Sequence, residues 1–196
     1  ALAARTTAES VHDFETICSS LSLLGQVESA RGHVDVENKL IMQALGICRQ
    51  SGNRWREGRT LADLGWLQAQ RGEFAQAIES AQHALQLLTV TNDRAGIAFV
   101  WNTLGRAYGG HGDYVLALDA LRNSQEVAEA IGHRFILAQT PNLLGWLYQQ
   151  LCDYARAQKF DEEGLELARR WNKVPAEISA DINLGLDILH LGKPAR

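Results

Sequence analysis

Six histidines and three cysteines are the residues best suited to metal or nucleophilic chemistry, and their spacing supports neither. His12, His33, His83, His111, His133 and His190 are scattered, and none completes an H-E-x-x-H helix or pairs with a cysteine at ligand spacing. Cys18, Cys48 and Cys152 form no C-x-x-C and are odd in number, which fits free thiols in a reducing compartment better than a disulfide framework. Cys18 and Cys48 are expected to meet near one end of the first helix pair, as small buried residues. Asp161-Glu162-Glu163 clusters three carboxylates that could act as acids or bases, but such a run on a helix reads as a solvated face. Tyr108-Gly109-Gly110-His111-Gly112 has the glycine content of a phosphate cradle, yet it ends a helical stretch and follows no strand, so a loose turn is expected. The expectation is therefore no catalytic residue, no metal ligand, no cofactor and no enzyme.

Composition narrows the class further. The 196 residues are 46% apolar, enough to bury a sizeable core, and 23 acids against 19 bases leave a net charge of −4. That balance gives no concentrated basic face for nucleic acid. No apolar run approaches the roughly 18 residues of a membrane span. The chain lacks a charged start followed by an apolar leader, so a cytoplasmic location is expected. It begins at Ala1 and its sole methionine is Met42, from which a segment of a longer protein is expected.

The elements that must carry any function are set by a repeat. Gly25, Gly65, Gly105, Gly145 and Gly185 are spaced 40 residues apart, and Gly32, Gly72, Gly112, Cys152 and Gly192 keep the same step. Within each step apolar residues recur at three and four, as in Leu61, Leu64 and Leu67 or Trp101, Leu104 and Tyr108, which is helical periodicity. Two breaks punctuate each unit. One is the turn before an aromatic residue (Gly72-Glu73-Phe74, Gly112-Asp113-Tyr114, Cys152-Asp153-Tyr154), and the other is polar (Gly52-Asn53, Asn92-Asp93, Gly132-His133, Asn172-Lys173). Glycine there accepts the left-handed conformation that ends a helix, and Asp caps the next one. The pattern predicts helices near 8–31, 34–50, 54–71, 74–90, 94–111, 114–131, 135–151, 154–171 and 175–191. Pro141 falls inside the seventh, which is expected to start late or kink there.

Trp101-x-x-Leu104-Gly105-x-x-Tyr108, continued by Gly112-x-Tyr114-x-x-Ala117, resembles the signature of the tetratricopeptide repeat. Looser copies are Leu61…Leu64-Gly65…Gly72-x-Phe74-x-x-Ala77 and Leu144-Gly145-x-x-Tyr148…Tyr154-x-x-Ala157. The glycine removes a side chain where two helices cross, and Ala77, Ala117 and Ala157 let the first helix approach the second. The period of 40 departs from the family's 34, and Glu37 stands where the other units have Ala. The resemblance implies an all-α, right-handed α–α superhelix (solenoid) of about four and a half helix-turn-helix repeats and about nine antiparallel helices. One such domain over 1–196 is expected, with units near 14–53, 54–93, 94–133, 134–173 and a partial 174–196. Forty-residue versions look like those of bacterial multidomain signalling and regulatory proteins.

The resemblance further implies that the first helix of each pair lines a concave face. The residue after each glycine (Gln26, Trp66, Arg106, Trp146, Leu186) and the residue three before it (Ser22, Ala62, Asn102, Asn142, Ile182) should point there, joined by Gln70, Gln149, Gln150 and His190. Trp66, Gln70, Asn102, Arg106, Asn142, Trp146, Gln149 and Gln150 are thus the candidate partner-binding residues. Amides can bond a peptide backbone in either polarity, and tryptophan offers large contact area. Two roles stay open for Trp66 and Trp146, groove contact or packing on a neighbouring second helix, and two for Arg106, a carboxylate clamp or a solvated cation. Trp55 and Trp171 read as packing between units. The last helix shows an apolar stripe (Ile182, Leu184, Ile188, Leu189, Leu191) with no second helix after it, which suits continuation of the array or a homodimer contact.

The expected function is a non-enzymatic protein-interaction or scaffold module that binds a peptide or protein segment, another domain of its own parent included, as the regulatory part of a larger bacterial signalling protein. No direct nucleic-acid or membrane partner is expected. The alternatives are a sensor of a small ligand or signalling peptide, and an oligomerisation unit.

Overall fold

A computed structural model describes residues 14–192. Nine helices and no strand occur among the described residues: α1 Phe14–Ala30, α2 Val34–Gln50, α3 Arg54–Gln70, α4 Phe74–Val90, α5 Arg94–His111, α6 Tyr114–Ile131, α7 Arg134–Gln150, α8 Tyr154–Arg170 and α9 Val174–His190. The part of the first expected helix before residue 14, with His12, lies outside the described residues.

Every link between helices is built alike. The residues at 32, 52, 72, 92, 112, 132, 152, 172 and 192 all have positive φ, six of them glycine, and Asn92, Cys152 and Asn172 at 54°, 57° and 53°. The residue after each of the first eight sends its N–H back to a carbonyl five residues earlier, as His33 to Glu28, Asp93 to Leu88 and Lys173 to Ala168, at 2.8–3.2 Å. This closure satisfies carbonyls that the helix end leaves open. The same residue then begins the next helix, and Asn53, Asp93 and Asp153 accept from the N–H three residues on at 3.0–3.1 Å. The 40-residue period is thus two 20-residue helix-and-link steps.

Packing follows from which helices meet. Each helix packs on the next in sequence, and the first helices of neighbouring units (α1, α3, α5, α7, α9) also touch one another, whereas the second helices (α2, α4, α6, α8) do not. The array is therefore an α–α solenoid that curves with its first helices on the tighter, concave side. Gly65 permits the crossing within its pair: a Cβ there would lie 3.2 Å from the Ala77 carbonyl oxygen and 3.3 Å from the Ala81 nitrogen. Ala77, Ala117 and Ala157 have no exposed surface. Glu37 takes the equivalent place in the first pair, buried with its Oε2 unpaired.

Two expectations change. α7 begins at Arg134, which rules out the late start but not the alternative kink, and it runs through the buried Pro141. A proline inside a helix costs roughly 3 kcal/mol, and here α5, α8 and α9 pack around the helix that contains it. Gly109 and Gly110 belong to the last turn of α5 and only Gly112 turns. Gly109 makes room for the Trp146 ring, 2.9 Å from where its Cβ would be, and Gly110 makes room for Phe74.

Candidate concave-groove site

The residues that follow the repeat glycines form a ladder along the inner helices. Trp66 on α3, Arg106 on α5 and Trp146 on α7 occupy the same point of three successive units. The guanidinium carbon of Arg106 lies 5.8 Å from the Trp66 ring centroid and 5.2 Å from that of Trp146. Both distances fall within the reach of cation–π attraction. Trp66 is also held by Phe99, with centroids 5.8 Å apart. These contacts are with the neighbouring inner helix α5, and both indoles are half-buried.

Arg106 is the unusual member. It forms no ion pair among the described residues, and its Nε is buried without an acceptor. Burial lowers its pKa from the ordinary arginine value, although a guanidinium stays charged under any working condition. A shallow cavity of about 190 Å³ opens beside it, bounded by Trp66, Trp146, Gln139, Ser179, Ile182 and Asn183. Gln139 and Ser179 stand six residues before the repeat glycine, one turn from Asn142 and Ile182. That stripe escaped the sequence reading, although its 3-and-4 spacing from positions already chosen could have revealed it.

Asn102 and Asn142 take a different place from the one expected. Asn102 has no exposed surface; its Oδ1 accepts from Thr140 Oγ1 at 3.0 Å and its Nδ2 reaches Gln139 Oε1 at 3.5 Å. Asn142 is 3% exposed and donates to the Ala176 carbonyl at 2.8 Å, so it touches only the floor of the cavity. Each amide ties one inner helix to the next, while Asn142 Oδ1 is buried without a partner. Gln149 does likewise, donating to the Asn183 carbonyl at 3.1 Å and to Asp187 Oδ1 at 2.9 Å. Gln70 and Gln150 are exposed. Of the wider stripe, Ala62 is buried, Ile182 and Leu186 are exposed, and the His190 ring lies tilted against Tyr154 with centroids 4.4 Å apart. The side chain of Gln26 lies outside the described residues.

Further along the same side, Ser19, Ser22, Trp55, Arg56, Arg59 and Asp63 bound an open hollow of about 380 Å³. Arg59 grips Asp93 through two bonds of 2.5 and 3.0 Å, and the Trp55 indole N–H donates to the same carboxylate at 2.8 Å. Trp55 thus joins units, and Trp171 packs on the cluster of Ala138, Ala168 and Ala176. Burial pushes Asp63 up to about 6, against the pull of Arg59 and Arg56. Cys18 and Cys48 meet as expected, both buried, with sulfurs 2.9 Å apart. Among the described residues no cluster of three His, Cys, Asp or Glu could hold a metal, and no helix is long and apolar enough to cross a membrane.

An array of helical hairpins whose inner helices line a groove defines an α-solenoid. The model of the tetratricopeptide repeat family matches residues 93–170. Its fold is similar to that of BtubC (BKLC) from P. vanneervenii, with a TM-score of 0.72 and 19% identity over 96% of this chain and 80% of that one. It is also similar to the nearly identical TPR-like repeats of a Podosopora anserina protein described as a kinesin light chain, with a TM-score of 0.61 and 15% identity over 89% of this chain and 86% of that one. At these identities the likeness is one of fold. No curated protein matches the sequence.

Proposed function

We propose that this chain is a non-enzymatic interaction module that holds a peptide or protein segment in its concave groove, through an acidic group seated on Arg106 between Trp66 and Trp146. Tetratricopeptide repeats are generally protein-interaction modules, and stacked repeats offer an extended concave surface. The observation that carries the reading is the Arg106 guanidinium, flanked by two indoles and without a carboxylate partner among the described residues. A planar guanidinium matches a carboxylate with paired hydrogen bonds, and the rings beside it provide apolar contact for the flanking residue of a peptide.

Size favours a peptide over a metabolite. A cavity of about 190 Å³ is smaller than the roughly 300–1,000 Å³ that encloses a whole small ligand, and it suits one side chain of a longer segment. Selection from a random peptide library tests the reading: binders should carry Asp, Glu or a terminal carboxylate, and Arg106→Gln should release them.

The place of the module as the regulatory part of a larger signalling protein, in the cytoplasm, rests on the resemblance of its 40-residue period. Pairing of two copies through α9 would use the exposed Ile178, Ile182 and Leu189. Light scattering over a concentration series tests that pairing, which a mass fixed at one chain would contradict.

A further inference from the structure

Two acids occupy positions that the rest of the array keeps apolar. Asp161 on α8 stands where the preceding units have Ile41, Ala81 and Leu121, the residue that packs on the repeat glycine. Asp187 on α9 stands where they have Leu67, Ala107 and Leu147. All six of those residues are buried, and both aspartates have no exposed surface. The Asp161 carboxyl fills the space above Gly145, where a Cβ would collide with it.

One oxygen of each acid is satisfied by an amide. Asn183 Nδ2 donates to Asp161 Oδ1 at 2.9 Å, and Gln149 Nε2 donates to Asp187 Oδ1 at 2.9 Å. The other two oxygens, Asp161 Oδ2 and Asp187 Oδ2, are buried and meet no donor among the described residues. Leaving both ionised would bury two like charges with two bare acceptors, which costs several kcal/mol. The two carboxyls interact through a side-chain hydrogen bond, so a single hydrogen shared between them would satisfy both.

We propose that Asp161 and Asp187 share one proton, and that this proton latches α9 onto the array and so holds the end wall of the groove. Asp161 is the member that carries it, donating from Oδ2 to Asp187. Burial and the charge of Asp187 push Asp161 up to about 8, against the Asn183 bond. Burial likewise raises Asp187, opposed by Gln149, by Asp161 and by His190. The surrounding elements add little charge: α7 presents the neutral Asn142 and Gln149, the link and start of α8 bring Cys152 and Tyr154, and α9 brings Asn183 and His190. Neither Lys nor Arg acts on either carboxyl among the described residues.

The latch reaches the groove through Asn183. Its amide also donates to the Asn142 carbonyl at 3.1 Å, and with Ser179 and Ile182 it walls the cavity beside Arg106. When α9 opens, both acids return to water and to an ordinary value of about 4. The docked helix therefore binds one more proton than the open one between that value and about 8. Docking is strongest below the lower value, weakens as pH rises, and reaches its floor above the higher one.

Hydrogen exchange of the α9 amides tests this without any groove ligand, so its outcome is separate from that of the peptide-binding reading. Rates are divided by the intrinsic exchange rate at pH 5, 6 and 7, in a His190→Gln background, since histidine protonation falls in the same window. The opening constant should rise by up to about ten-fold per pH unit with Asp161 and Asp187 in place. It should be flat in Asp161→Asn, whose amide replaces the shared hydrogen permanently. It should also be flat in Asp161→Leu with Asp187→Leu, which restores the residues of the preceding unit and guards against a fold failure of the first variant. A flat profile with both acids present, or an unchanged slope in these variants, overturns the proposal.

Discussion

Arg106 sets its guanidinium carbon 5.2 Å from the ring centroid of Trp146, the residue that holds the same point of the next unit 40 positions on. That pairing places a cation on the concave side with one face against an indole and its Nε unpaired. Gly109 makes the arrangement possible, because any side chain there would displace the Trp146 ring.

The inner helices are tied by amides, so those amides govern stability. Asn142→Ala removes the donor to the Ala176 carbonyl and leaves that buried acceptor with one bond fewer. Loss of such a bond costs roughly 1–3 kcal/mol, which should lower the urea midpoint with the slope unchanged. An unchanged midpoint would mean that the tie contributes nothing.

Asp93 joins two units and caps α5. Burial alone would raise its pKa, but the Gly96 N–H, Arg59 and the Trp55 indole outweigh that and hold it below the ordinary carboxylate value. A lowered folded value contributes stability above the unfolded value of about 3.9, and that stability is lost as pH falls through the folded value. Asp93→Asn should therefore lower stability at pH 7, by about 1–3 kcal/mol, and should flatten the acid limb of the stability curve below about pH 4. Thermal melts of both proteins from pH 7 to 2 measure it.

Cys152 holds a left-handed φ of 57° at an exposed link where the equivalent residues at 72 and 112 are glycine. A side chain in that conformation costs about 1–2 kcal/mol, partly offset by the extra chain entropy of glycine. Cys152→Gly should raise stability by about 0.5–1 kcal/mol, read as a higher melting temperature.

Helix bounds were legible in the sequence because every link except the one at Cys152 carries Gly or Asn, residues suited to positive φ, and half of the eight links between helices follow it with Asn or Asp. The ladder of Trp66, Arg106 and Trp146 was legible from the 40-residue register together with the family resemblance. The burial of Asn102 and Asn142 was not, because a helix pair has two contacting faces while the solenoid adds a third, where inner helix meets inner helix. A polar residue on that third face looks solvent-facing until the neighbouring unit is in place. At Pro141 local propensity suggested a late start, yet the helix already begins at Arg134 and the proline is buried within it. Asp161 hid within a run of three acids, of which Glu162 and Glu163 are exposed as a solvated face should be.

The central claim is that the groove takes an acidic segment on Arg106. The direct measurement is calorimetric titration of a library-selected peptide into the unsubstituted protein and into Arg106→Gln, with Trp66→Ala and Trp146→Ala alongside. Selected peptides should share a carboxylate, and Arg106→Gln should weaken them by at least ten-fold, about 1.4 kcal/mol, with an unchanged melting temperature. Peptides that lack an acidic group, or that bind all three variants as tightly as the unsubstituted chain, would contradict the account.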